Sequence, residues 1–236
     1  MKKINGLIIA AALAFGSHVS AQQVVGLAYD FVVSNPAGVV AALDKFVASP
    51  TGRSVNGYPI LNQYIVNGES LATHNIVVVY PSPEAMDAAF AANAVSQDWA
   101  TFLAEMAEVS SPVGELMFTS TGVNFGSPDN VSSANAMSQW FALTVTDPAA
   151  YVDAWTDLAE EYQSDSTNSS LFAINADGQG GVTHLNVITG NNMTALSTDP
   201  LAESRGWGRF VSKVTDIRTV VNRSVVMQVK NYSPTM

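Results

Sequence analysis

The strongest constraint on this chain is that it repeats itself. Ser34-Asn35-Pro36-Ala37 recurs as Thr146-Asp147-Pro148-Ala149, 112 positions later. Asn35 and Asp147 suit a helix N-cap, where a side-chain oxygen accepts from a free backbone N–H. Pro36 and Pro148 then fall at the first helical position, where no N–H is needed. Before each cap lies an alternating segment, with Tyr29, Phe31 and Val33 matching Phe141, Leu143 and Val145. Alternation of period two marks a half-buried strand. After each cap the apolar spacing is helical: Val39, Leu43, Phe46 and Val47 in the first copy, and Tyr151, Val152, Trp155, Leu158 and Tyr162 in the second.

The match runs on. Asn67-Gly68 and Asp177-Gly178, 110 positions apart, are hairpin pairs because they tolerate positive φ. Residues 60–66 and 171–175 read as the strands before these turns, and 73–80 and 183–189 as the strands after them. At an offset of 108, Ser96, Trp99, Phe102, Leu103, Met106 and Val109 align with Ser204, Trp207, Phe210, Val211, Val214 and Ile217. Each set is one apolar stripe along a helix. Residues 116–121 and 224–229 read as closing strands.

Each copy therefore reads strand–helix–strand–strand–helix–strand, the ferredoxin-like order. The fold class expected is α+β: two ferredoxin-like repeats packed as an intrachain α+β barrel. A four-stranded sheet with both helices on one face leaves the other face bare, and two copies can cover each other. The expected division is a signal peptide at 1–21, repeat 1 at 22–126, a linker at 127–136 and repeat 2 at 137–236. The linker is marked by Gly126-Ser127-Pro128-Asp129-Asn130 and the small polar residues after it.

This order and duplication resemble the dimeric α+β-barrel superfamily. That group includes antibiotic-biosynthesis monooxygenase-like domains, stress-response A/B-barrel domains and, as tandem fusions, chlorite-dismutase-like haem proteins. The resemblance covers nearly all of the chain after residue 21. It is architectural, and it implies a barrel-like body with an apolar cavity between the two sheets. No haem-proximal motif or monooxygenase catalytic set is matched, so no site residue carries over.

The first residues read as a targeting segment. Lys2 and Lys3 precede an apolar stretch to Phe15, and Val19-Ser20-Ala21 supplies small residues before a cut ahead of Gln22. A membrane span needs roughly 20 apolar residues, more than this stretch offers. The expectation is export to the periplasm or beyond as a soluble protein. Loss of residues 1–21 takes cations from 10 to 8 against 20 acids, a net charge of about −12. Such a surface disfavours nucleic acid, whose phosphates need a basic face, and anionic membranes. With no Cys in the chain, thiol nucleophiles, thiolate zinc sites and disulfides are excluded.

Few residues suggest chemistry. His74 and His184 are the only histidines after residue 21, and they occupy equivalent positions. By alternation His74 shares a strand face with Ile76 and Val78, and His184 with Asn186 and Ile188; this face is expected to look toward the other sheet. His74, Ile76, His184 and Asn186 are thus the candidate lining of a ligand cavity, with the imidazoles able to bind a metal or move protons. Two His without a neighbouring carboxylate make a poor metal site, so no metal is expected. Trp99 and Trp207 belong to apolar stripes and read as packing.

Arg205, Arg209 and Lys213 recur every four residues as a basic ridge where the first copy has Asp98, Glu105 and Glu108. The ridge reads as an anion site, as charge pairing between copies or between molecules, or as a solvated helix face. Gly178-Gln179-Gly180-Gly181 lacks the residues of a phosphate loop and reads as a turn. The residues name no cofactor. Three functions stay open: a binding module for a small apolar or aromatic ligand, a monooxygenase-like or haem-dependent enzyme using His74 or His184, and a self-associating structural protein.

Overall fold

The computed structural model describes residues 23–126, 135–178 and 180–233. The expected signal peptide and most of the expected linker lie outside them.

The first repeat runs β1 (Val25–Val33), α1 (Pro36–Ala48), a short α2 (Pro50–Ser54), β2 (Tyr58–Val66), β3 (His74–Tyr80), α3 (Pro83–Ala94), α4 (Gln97–Val109) and β4 (Ser110–Gly126). The second runs β5 (Met137–Val145), α5 (Pro148–Glu161), β6 (Thr167–Ala176), β7 (His184–Gly190), α6 (Met193–Thr198), a 3-10 turn (Pro200–Glu203), α7 (Arg205–Val214) and β8 (Arg218–Asn231). Local chemistry sets these boundaries twice over. Asn35 Oδ1 accepts from Gly38 N and Asp147 Oδ1 from Ala150 N, both at 3.1 Å. Ser96 Oγ caps α4 at Trp99 N, and Ser204 Oγ caps α7 at Trp207 N, again both at 3.1 Å. Gly68 and Gly178 hold φ of 59° and 68°, the left-handed conformation that each hairpin turn requires.

All strands join one closed barrel in the order β1-β3-β2-β8-β5-β7-β6-β4. The two sheets face each other, as expected, and their edges also hydrogen-bond, β2 to β8 and β4 to β6. That double duty explains why β4 and β8 are longer than their apolar cores suggested. Each pairs with its own sheet on one side and the opposite sheet on the other, with register shifts that let it bend. Inside the barrel, Ala28, Val77 and Phe118 pack with Trp140, Phe172 and Ile174, so this part of the space between the sheets is a filled core. Phe118 and Phe172 meet edge to face at 5.0 Å.

The helices cover the outer faces. Val39, Leu43, Phe102 and Met106 pack on Leu61 and Ile76 in the first repeat. Tyr151, Trp155, Leu158, Phe210 and Val214 pack on Leu143 and Leu171 in the second. Three helices lie beyond those expected from the sequence: α2, α3 and the shorter counterpart of α3, α6. The caps of α3 and α6 were visible in principle: Ser82 Oγ accepts from Ala85 N at 3.3 Å, and Asn192 Oδ1 from Ala195 N at 2.9 Å.

Where α6 stops short, one carboxylate organises the chain. Asp199 accepts from Tyr162 Oη at 2.6 Å, Thr167 Oγ1 at 2.7 Å, Leu201 N at 3.0 Å and Ser166 Oγ at 3.3 Å, and also from Ser164 Oγ. These donors hold its carboxyl below the usual range although burial opposes them. The C-terminal strand ties the repeats together: Lys230 Nζ donates to Asp44 Oδ1 of α1 at 2.6 Å, and Tyr232 Oη donates to the same oxygen at 2.7 Å.

Candidate functional site

The histidines sit where the repeat places them but face the opposite way from the expectation. Ile76 and Val78, on the face of His74, pack under α1 and α4. The His184 ring stands 5.6 Å from the ring of Tyr151 on α5. The face carrying His74, Ile76, His184 and Asn186 therefore looks at the helices, and Val77 and its neighbours look into the barrel. Alternation identifies which residues share a face but not which layer that face meets. The helix stripes decide, since they claim the side bearing Ile76 and Ile188.

Each His is tied into a copied joint. Thr73 Oγ1 lies 3.0 Å from His74 Nδ1 and accepts from Val33 N at 2.9 Å; Thr183 Oγ1 lies 3.0 Å from His184 Nδ1 and accepts from Val145 N at 2.8 Å. Both joints pin the end of the first strand of their repeat to the third. Burial lowers the pKa of both imidazoles, which favours the neutral ring. Asn186 Oδ1 accepts from Ser169 Oγ at 3.0 Å on the same outer face. Both rings are buried, with one nitrogen engaged by a threonine, and Tyr151 covers the His184 side. These surroundings do not fit a haem ligand. Among the described residues, no group of three or more His, Asp or Glu could hold a metal ion.

The basic ridge is paired within its own repeat. Arg209 bonds to Glu161 and Lys213 to Asp157, both across to α5, while Arg205 stands exposed at the start of α7. Both partners lie within the second repeat, and neither pair reaches across to the first copy. The first repeat has the same bridge with its polarity reversed: Lys45 of α1 bonds to Glu105 of α4. Lys45 occupies the position of Asp157, and Glu105 that of Lys213, by the offsets of 112 and 108.

These bridges span the cleft between the two long helices of a repeat. In the first repeat it measures about 170 Å³, lined by Ala42, Phe46, Ser49, Asp98, Thr101 and Phe102 beside the Lys45–Glu105 pair. Phe46 and Phe102 form its aromatic floor, and Trp99 packs against both, with the three ring centroids 5.1 to 5.3 Å apart. Asp98 is held ionised at one end, because Thr51 donates to it from its backbone N at 3.2 Å and its hydroxyl at 2.9 Å.

In the second repeat the same cleft shrinks to about 30 Å³, room for about one water. Two substitutions close it. Gly206 stands where the first repeat has Asp98, and a Cβ there would meet Leu158 at 3.0 Å, so the glycine lets α7 approach α5. Arg209 replaces Thr101 and adds the second bridge.

Beneath the closed cleft lies a cluster of large, partly polar groups on α5 and β8. Tyr151 is 0% and Trp155 2% exposed, yet neither Tyr151 Oη nor Trp155 Nε1 has a partner with hydrogen-bond geometry. Trp155 and Arg218 lie near enough to act electrostatically on the Tyr151 hydroxyl, and burial raises its pKa. The first repeat has Val39, Leu43 and Ser110 at these three positions. Spacing could not reveal this, because Tyr and Trp on a helix stripe look like any large apolar residue.

No protein-family model matches this chain, and no curated protein matches its sequence. Solved structures do match its fold. A protein assigned as a monooxygenase from Fusobacterium nucleatum subsp. nucleatum superposes with a TM-score of 0.59 at 10% identity, covering 90% of this chain and 95% of that one. An anthrone oxidase-like protein gives 0.57 at 10% identity, over 90% and 93%. A chlorite dismutase mutant from Candidatus Nitrospira defluvii gives 0.52 at 10% identity, over 87% and 90%. The architecture is thus that of the dimeric α+β barrel, built here within one chain. At such identities the likeness is one of fold.

Proposed function

We propose that this protein binds a small aromatic molecule in the cleft between α1 and α4 of its first repeat. The observation that carries this is the contrast of about 170 Å³ against about 30 Å³ for the same cleft in two copies of one unit. An apolar floor with a few polar groups at the rim is the usual form of a ligand site. Phe46 and Phe102 would stack on the ring, and Thr101 and Asp98 would meet a hydroxyl or amine on it. The cleft is favoured over the space between the sheets, where Phe118, Phe172 and their neighbours form a packed core. The test is calorimetric titration with benzyl alcohol against wild type and Thr101→Arg, which transfers the closing residue of the second repeat. Saturable binding that falls at least tenfold in the variant supports the site. Equal binding by both proteins removes it.

A second reading, monooxygenase-like chemistry, draws support from the descriptions of the structural neighbours and from the Tyr151–His184 pair. A protonated phenol beside a neutral imidazole can hold and move a proton. Oxygen uptake with anthrone as substrate, lost in Tyr151→Phe, supports that reading; no uptake by wild type counts against it. Residues 1–21 are proposed to direct export, so sequencing of the exported protein should begin at Gln22.

A further inference from the structure

Four inward-facing positions are polar in the first repeat and apolar in the second. Asp30, Asn62, Tyr64 and Asn75 line the inward faces of β1, β2 and β3, where the second repeat has Ala142, Phe172, Ile174 and Leu185. The first four form a directed chain. Asn62 Nδ2 donates to Asn75 Oδ1 at 2.9 Å, Asn75 Nδ2 to Tyr64 Oη at 3.0 Å, and Tyr64 Oη to Asp30 Oδ1 at 2.8 Å. Asn75 is wholly buried, so the chain starts in the core and ends at a carboxylate near the barrel mouth.

Asp30 lacks a counter-ion. The ion pairs among the described residues are Lys45–Glu105, Arg209–Glu161, Lys213–Asp157 and Lys230–Asp44. A half-buried carboxylate without a cation is costly, and burial raises its pKa although Tyr64 opposes this. Its second oxygen, Oδ2, faces Gly114 across the β1–β4 ladder, 3.9 Å from where a Cβ would stand. The glycine leaves that side of the carboxylate uncovered.

Close to Asp30 along β1 and β4, two apolar side chains are exposed to solvent. Val32, two residues along the same face of β1, is 37% exposed. Val113, at the register shift beside Asp30, is 41% exposed. A buried acid under an exposed apolar rim has complementary chemistry to one ligand class. We propose that this mouth binds a small organic ammonium with an apolar tail, the ammonium on Asp30 and the tail along Val32 and Val113. The site lies on the opposite side of the sheet from the α1/α4 cleft and is independent of it.

The test is titration of the folded protein with hexylammonium, followed by amide chemical shifts, with 1-hexanol as the neutral control. Wild type should bind hexylammonium saturably and at least tenfold more tightly than hexanol. Asp30→Asn keeps an acceptor for Tyr64 and should lose that preference with its circular dichroism unchanged. Val32→Lys, at an exposed position, supplies an internal ammonium and should block binding even if the Asp30 variant misfolds. Equal affinity for the two probes, no saturable binding, or unaltered binding in both variants would overturn the proposal.

Discussion

The two repeats share caps, turns, Thr–His joints and strand order, yet they place their polar chemistry on opposite sides of the sheet. The first turns Asp30, Asn62, Tyr64 and Asn75 into the barrel and, His74 apart, packs Val39, Leu43, Ile76, Phe102 and Met106 under its helices. The second fills its share of the barrel with Phe172, Ile174 and Leu185 and buries Tyr151, Trp155 and His184 under its helices. Whatever held in both copies is what the fold needs. What diverged is free to serve function, and the difference between copies stands in for a comparison among relatives.

The largest expected effect breaks the helix layers. Trp155→Ala should cost about 3–5 kcal/mol of stability and Leu43→Ala, its counterpart, about 2–5, read by urea denaturation. A small loss at Trp155 would mean that its unpartnered nitrogen offsets much of its packing. The next effect separates the repeats. Asp199→Ala strips five hydrogen bonds from a carboxylate that the first repeat lacks, and should cost about 2–4 kcal/mol. Because its folded pKa is depressed, its contribution is present above the ordinary carboxylate value of 3.8 and is lost as pH falls through the folded value.

Both histidines are depressed as well, so their contribution is complete above 6.5 and declines as pH falls below it. The double variant His74→Gln, His184→Gln should flatten the melting temperature of wild type between pH 6.5 and 5. A curve that keeps its slope would place the sensitivity elsewhere. Smallest of all are the reversed bridges. Lys45→Ala and Lys213→Ala should each cost about 1 kcal/mol or less, because both pairs are exposed. A larger loss at Lys213 would show that the second cleft needs its bridges to stay shut.

Much of the architecture was legible in the sequence because its signals are local. Asn35-Pro36, Asp147-Pro148, the Asn-Gly and Asp-Gly turns and the two Trp-led stripes each act within a few residues. Barrel closure was only half legible, since the pairing of β2 with β8 and β4 with β6 depends on strand ends whose apolar pattern is weak. The site was harder still. His184 and Asn186 lie two residues apart on one face of β7, as alternation reads, but alternation left open which layer that face meets. Phe46 and Phe102 looked like core, and the cleft above them exists only because Asp98 and Thr101 are not Gly206 and Arg209.

The most direct test of the divergence between the clefts is amide chemical-shift mapping with benzyl alcohol on the purified protein. The account requires the largest shifts at Phe46, Thr101 and Phe102, with little change at Leu158, Arg209 and Phe210. Equal shifts in both clefts, or shifts confined to the second, would contradict it.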